Sequence, residues 1–286
     1  MKLKNLGKVL MSCVLAGALF TGCGGNQPAQ SGGGPDGDIR LGMIAHLNAT
    51  EKKMDDILKL AQEDSGVKIT HYAVTFYNNL NAMQMGLESN SVDEISVYNC
   101  VADYLLEKND QFERVNDKFV STLKDDFSFA VRKDDAALKA DLDKVIGEMK
   151  ADGSLDKLVT EYITNVDKGK EPPAVEIPSV AGAETIKIGV TGDLPPLDYV
   201  NAGGNAAGFN TALLAEVAKR TGKNIEIVQI ESGARAAALS SKQIDVIFWA
   251  VVPSNNKIPA DIDKPEGVEL STPYFGDGMA HLKMKK

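Results

Sequence analysis

FSFAVRKDDAALKADLDKVIGEMKADGSLDKLVTEYI, residues 127–163, precedes ETIKIGVTGDLPPLDYV, residues 184–200. The first piece reads as the end of a domain. A strand around 127–132 leads into a helix whose apolar residues Leu138, Leu142, Val145 and Met149 share one face. Asp134 or Asp135 caps it, Gly153 breaks it, and Ser154 caps a short last helix with Leu155, Leu158, Val159 and Tyr162 inward. The second piece reads as a beginning, an apolar strand at IKIGVT (186–191) followed by a Pro-Pro turn. Between them, residues 167–184 carry three Pro and little periodicity, which makes a linker. An end that comes before a beginning governs how the rest of the chain is read.

Outward from this seam, strands and helices alternate on both sides. DIRLGMIA (38–45) is a short strand. Thr50-Glu51 opens a helix with Met54, Ile57, Leu58 and Ala61 at helical spacing, and Gly66 ends it. A strand lies within 67–77, and Asn78 or Asn79 caps a helix bearing Leu80, Met83 and Leu87. VDEISVY (92–98) is a strand and NCVADYLLEKN (99–109) a helix. Past the linker, Asn210 or Thr211 caps a helix with Leu213, Leu214 and Val217. NIEIVQI (224–230) is a strand, Gly233–Leu239 a short helix, and IDVIFWAVV (244–252) a strand apolar on both faces. A polar loop at 254–267 precedes VELSTPYF (268–275) and the final GMAHLKMK (278–285). This alternation is the pattern of parallel sheets covered by helices.

The chain has 286 residues, 43% hydrophobic and 25% charged, the composition of a globular protein of one or two domains. Residues 1–22 read as a targeting segment: Lys2, Lys4 and Lys8, an apolar run at 9–20, then Phe20-Thr21-Gly22-Cys23. Small residues before Cys23 resemble a lipoprotein cleavage site and make Cys23 the lipidated residue, although Phe20 stands where Leu is usual. Residues 23–37 form a flexible tether. Cys100 is then the one thiol of the folded part and reads as a buried small hydrophobe; no Cys and His spacing suits a metal. The net charge of −9, more negative once the Lys-bearing leader is gone, argues against nucleic acid or an anionic membrane surface as partner.

Several motifs together resemble the bacterial extracellular solute-binding proteins of family 3. They are IKIGV…PP…GFN…LLAEVAKRTG, AALSSKQIDVI, STPYF, VDEISVYNCVADYL and FAVRKDD with its closing helices. In that family the IKIG-type strand comes first and the FAVRKDD-type stretch last, so the resemblance implies a circularly permuted chain. It implies an α/β, two-lobed, periplasmic-binding-protein-like fold of type II with a ligand cleft between lobes. The family's second lobe would occupy residues 38–122. Its first lobe would occupy 123–286, made of closing helices 127–163, linker 167–184 and opening lobe 185–286. One strand crossing, near 118–127, would remain covalent, and the other would be cut between Leu282–Lys286 and the residues before Ile39.

Carried over position by position, the resemblance points to a cleft whose usual anchors have changed. The Arg that forks onto a ligand carboxylate is matched by Lys257. The Asp that meets an α-amino group is matched by Tyr98 or Asn99. Thr191 replaces an Asp after the opening strand, with Asp193 two residues on. Ser232 replaces an aromatic. Asn48, Ala49 and Thr50 match a helix start that offers backbone N–H groups, and Thr50 also reads as a plain N-cap. Arg235 reads equally as a replacement anchor or as a solvated helix residue. Trp249, the single Trp, reads as a cleft residue ahead of plain core. Leu197, Ala250 and Val252 complete the expected lining.

The implied function is a non-enzymatic, monomeric, lipid-anchored substrate-binding protein, held outside the cytoplasmic membrane. It would deliver a small polar solute, such as an amino acid, to the permease of an ABC importer without a cofactor. Two other readings stand beside it. One is a dehydratase-like enzyme on the same fold, with His46 and Asp193 as an acid/base pair. The other is a sensory or ligand-free lipoprotein that binds a protein partner.

Overall fold

The computed structural model describes residues 38–286 apart from 49, 67–70, 167–171, 173 and 255–257. Cys23, the tether, Ala49 and Lys257 therefore lie outside the described residues. The chain opens with β1 (Ile39–Ile44), α1 (Glu51–Ser65), β2 (Tyr72–Tyr77), α2 (Leu80–Glu88), β3 (Glu94–Tyr98) and α3 (Asn99–Lys108). The Thr50 hydroxyl accepts from Lys53 N–H, and Gly66 closes α1 at φ 67, a left-handed conformation that glycine adopts without strain. Asn79, not Asn78, caps α2 by accepting from Ala82 N–H. β1 runs parallel to both β2 and β3, and a short β4 (Phe112–Arg114) follows.

β5 (Lys124–Arg132) carries the chain into a second sheet and is followed by α4 (Ala136–Ala151) and α5 (Ser154–Val159), the latter continuing as a π-helical turn at Thr160–Thr164. Leu138, Leu142, Val145 and Met149 are all buried, as their spacing requires. Gly153 occupies the cap position of α5, so Ser154 is its first helical residue rather than its cap. After the linker come β6 (Thr185–Val190), then β7 (Asp193–Leu194), β8 (Asp198–Val200) and β9 (Ala206–Ala207), which form a small antiparallel sheet. α6 (Phe209–Thr221) starts at Gly208, not at Asn210 or Thr211; both of those lie inside its first turn and are buried. Gly208 sits at φ 99, and a Cβ there would stand 2.6 Å from the Pro196 carbonyl oxygen, so only glycine fits the entry to this helix. β10 (Asn224–Gln229), a 3₁₀ turn at Ser232–Ala234 running into α7 (Arg235–Ser240), β11 (Val246–Pro253), β12 (Val268–Leu270) and β13 (Phe275–Met284) complete the chain.

The strand order is β10-β6-β11-β5-β13-β3-β1-β2, with β12 on β5 and β4 on β13. β6 lies parallel to β10 and β11, mirroring β1 between β2 and β3. The two parallel sets are joined by antiparallel β5 and β13. Residues 275–278 of β13 pair with β5, and residues 279–284 pair with β3 and β4. The expected cut crossing is thus corrected. β13 passes unbroken from one half to the other, and β5 provides a second covalent connection. The last strand ends inside the first half, with Leu282 fully buried against Ile95. Gly278 marks the passage: a Cβ there would lie 2.6 Å from Asn99 Nδ2. The result is the expected two-lobed α/β architecture, with one large apolar cluster that draws residues from both halves.

Candidate functional site

The carboxyl ends of β1, β3, β6 and β11 converge on one cleft between the halves, the place where open parallel sheets expose loops to a ligand. A cavity of about 50 Å³ lies there. Of the expected residues, Tyr98, Thr191, Asp193, Ser232, Arg235 and Trp249 line it. Ala45, His46, Ser96, Val251 and Met279 line it as well. By the measure that gives one water about 10–15 Å³, the space holds a few waters. The cleft is therefore closed by protein groups.

Arg235 is the buried cation of the site, 4% exposed. It opens α7, whose first turn turns the guanidinium under β11. Nη1 donates to the Trp249 carbonyl at 2.5 Å and Nε to the Ser232 carbonyl at 3.1 Å. Nη2 reaches across the cleft to the Ala45 carbonyl at 3.4 Å. All three acceptors are neutral. Burial lowers the pKa of Arg235, against the opposing pull of Asp263, Tyr274 and Tyr98. Of the two readings of Arg235, the solvated one fails. Beside it, the hydroxyls of Ser232 and Ser96 are buried with no hydrogen-bond partner among the described residues. A buried hydroxyl left so costs about 1–3 kcal/mol.

Asp193 faces the first half. Its carboxylate accepts from Leu80 N–H at 2.6 Å, at the N-terminus of α2. Asp263 does the same for the loop before α1, accepting from Leu47 and Asn48 N–H at 3.1 and 2.8 Å. His46 Nδ1 lies 3.5 Å from Asp263. Burial opposes the charge on His46, but Asp263 and Asp125 outweigh it and raise its pKa. The expected His46–Asp193 pair is thus corrected: both line the cleft, but His46 is held by Asp263 and Asp193 by a helix N-terminus. The Tyr98 hydroxyl donates to Asp125 at 3.1 Å, and burial raises the Asp125 carboxyl to about 6. The Trp249 ring stacks on Phe127 at 3.9 Å and 6°, so its flat face meets core while its edge meets the cavity. Among the described residues no cluster suits a metal.

The remaining expected residues fall elsewhere. Asn99 opens α3 on the far side of Tyr98 and accepts from Arg114 Nη1. Leu197 and Ala250 are core. Val252 pairs with Asp126 along the sheet. Asn48 is on the rim, donating to the Lys264 carbonyl, and Thr50 serves as the N-cap of α1. Ala45, Ser96 and Met279 were absent from the expectation. Ser96 could have been found as one of two buried polar residues, with Glu94, on the same face of VDEISVY, but Met279 depends on how β13 pairs, which no local pattern carries.

Residues 186–280 match the bacterial extracellular solute-binding proteins, family 3. The arginine-binding extracellular protein ArtP of Bacillus subtilis is 30% identical over 97 residues, covering 34% of this chain and 35% of that protein. The L-cystine-binding protein TcyJ of Escherichia coli is 26% identical over 101 residues, 35% of each. The matched segment thus spans about a third of the length of these curated relatives. Among solved structures, the ligand-binding core of GluR0 from Nostoc punctiforme with L-glutamate aligns over 87% of this chain and 85% of its own at 10% identity and TM-score 0.36. An ancestral arginine-binding protein bound to arginine aligns over the same shares at 14% identity and TM-score 0.38.

Proposed function

We propose that this protein, whose residues 186–280 match family 3 of the solute-binding proteins, captures a small solute outside the cytoplasm and delivers it to the permease of an ABC importer. One observation carries the reading. At the carboxyl ends of four strands from two halves, a buried Arg235 and two unpartnered hydroxyls face a shared cavity. Groups so arranged are costly to bury without a partner and favourable around a polar ligand. Hinge movement about β5 and β13 would open the cleft, and closure would bury the solute. No helix of the described residues is long and apolar enough to cross a membrane; Cys23 would supply the anchor. The curated relatives are an arginine-binding and an L-cystine-binding protein, in line with a binding role here.

The chain order supports permutation. Residues 38–122 would be the family's second lobe, and residues from 123 its first, with the boundary on the carboxyl side falling inside β13. The linker at 167–184 would then join the family's original ends. The test of function is a titration followed by Trp249 fluorescence and melting temperature, with amino acids, amines and carboxylates. A saturable response to one class is expected. A flat response throughout overturns the reading and favours a lipoprotein that binds a protein partner.

A further inference from the structure

Beside the cleft lies a second cavity of about 70 Å³. Its walls are mainly apolar, with Met54, Ile57 and Ala61 of α1, Tyr72 of β2, and Phe119 and Ile258 from the connections above; Lys124, Asp125, Asp263 and His281 also reach the lining. It shares Met43, His46, Ser96, Val251 and Met279 with the cleft cavity, so the two are chambers separated by a few side chains. Two of those are methionines, unbranched and able to change rotamer at little cost. At about 10–15 Å³ per water, the second chamber holds roughly five waters, about 150 Å³ of liquid volume at 30 Å³ each. An aliphatic tail of five or six carbons, or one phenyl ring, fills such a space.

The buried guanidinium and the Ser232 hydroxyl are on the cleft side. Arg235 offers a guanidinium whose bonds go to neutral carbonyls, next to the unpartnered Ser232 hydroxyl. The unpartnered Ser96 hydroxyl stands at the junction of the chambers. We infer that the solute is a carboxylate with an apolar tail: its anionic head meets Arg235 and Ser232, and its tail passes Met43 and Met279 into the chamber under α1. A planar cation with two acceptor-seeking edges suits a carboxylate, and water in the apolar chamber gains from displacement by hydrocarbon. A strongly cationic side chain, by contrast, would meet Lys124, and the two carboxylates on this lining are already engaged, Asp263 by His46 and the Leu47 and Asn48 N–H groups and Asp125 by the Tyr98 hydroxyl. This rests on the solute-binding reading above and narrows its ligand.

The experiment is calorimetric titration of the purified full chain with hexanoate, leucine, phenylalanine, arginine and glutamate. Hexanoate or the apolar amino acids should bind at least tenfold more tightly than arginine and glutamate. Response to hexanoate marks a simple carboxylic acid as sufficient; response to leucine or phenylalanine alone marks an amino acid. Binding of arginine or glutamate in preference overturns the inference and leaves the solute-binding reading intact; no binding by any of the five also overturns the inference, and the wider panel of amino acids, amines and carboxylates then decides the solute-binding reading. Ala61→Leu, which puts a larger side chain into the chamber from α1, should weaken the favoured apolar ligand at least tenfold with melting temperature unchanged or raised. Unaltered affinity in that variant overturns the placement of the tail. Arg235→Lys keeps the charge and loses the fork; it should weaken every carboxylate of the panel alike, and a selective loss of the tail preference would contradict the assigned head.

Discussion

The Asp193 carboxylate accepts a hydrogen bond from the Leu80 N–H at 2.6 Å, and the two residues belong to opposite halves. The contact places a carboxylate at the N-terminus of α2, where backbone donors are unpaired and the helix dipole favours negative charge. Two other carboxylates accept backbone N–H groups across the same gap. Asp263 accepts from Leu47 and Asn48 N–H, and Asp277 on β13 accepts from Cys100 N–H at the start of α3. In each case an acidic side chain from residues 186–286 takes donors from residues 38–108. The Ser232 N–H, donating to the Asn78 carbonyl at 3.1 Å, adds a backbone bond across the same gap. The halves are thus latched by protein groups around the cleft.

Removing the latch should ease opening. Asp193→Ala leaves Leu80 N–H unpaired and removes a favourable charge from α2, together worth about 1–2 kcal/mol. A loss of a few degrees in melting temperature is expected, with faster hydrogen exchange at the Leu80 amide. Asn79→Ala, which removes only the local cap of α2, should destabilise by a similar amount without changing ligand association. If the association rate of a bound solute is the same in Asp193→Ala and Asn79→Ala, Asp193 is not a latch.

Asp263 should govern the charge of His46. The two lie 3.5 Å apart, and the raised pKa of His46 depends on Asp263 and Asp125 prevailing over burial. In Asp263→Ala the burial remains and the main partner is gone, so the pKa of His46 should fall below its wild-type value. Proton NMR of the three imidazoles reads this directly, with exposed His71 as an internal reference. A His46 titration that does not move would show that Asp125 alone holds the proton.

Much of the fold was readable because its signals are local. Thr50 and Gly66 delimit α1 by cap chemistry, and the apolar stripe of α4 needs no partner to be recognised. Where packing decides, local reading failed. Asn210 and Thr211 look like caps, but Gly208 takes that place because the chain must pass against the Pro196 carbonyl. The crossing of β13 rests on pairing with β5, β3 and β4, residues far away in the sequence. At the site the lesson is one of period. Trp249 faces the cavity, so its same-face neighbour is Val251, two residues on; Ala250 and Val252, expected there, point to the other side. Ser96, two residues before Tyr98 on β3, follows the same rule.

The Trp249 and Phe127 rings should report on the cleft floor. Stacked aromatic pairs contribute about 0.5–1.5 kcal/mol beyond burial, and Phe127 is fully buried. Phe127→Leu should cost about 2 kcal/mol in all, since volume is lost as well. It should also shift Trp249 emission to the red as the indole face loses its cover. Unchanged emission would mean that the ring is held by its other neighbours, Tyr98 and Tyr274.

The last prediction concerns pH. Asp198 is buried on β8, and burial raises its carboxyl to about 6, although it accepts from Thr191 N–H, Thr191 hydroxyl and Gly192 N–H. Asp125 is raised to about 6 as well, again chiefly by burial. A carboxyl whose folded pKa exceeds its unfolded value binds its proton more tightly when folded. Its contribution to stability is complete below the unfolded value, near 4, and is lost as pH rises through about 6. For Asp198 the difference between these limits is on the order of 2–3 kcal/mol. The raised pKa of His46 acts in the same direction. Asp93 and Asp143, lowered by partners that oppose their burial, act in the opposite direction only below about pH 4. Melting temperature should therefore be highest near pH 4–5 and decline towards pH 7. Asp198→Asn keeps the shape of the side chain and an oxygen for the Thr191 and Gly192 donors but cannot ionise. In that variant the decline between pH 4 and 7 should be visibly shallower. A decline as steep as in the unmodified chain would show that Asp198 ionises in the folded protein at its ordinary pH, its three donors outweighing its burial.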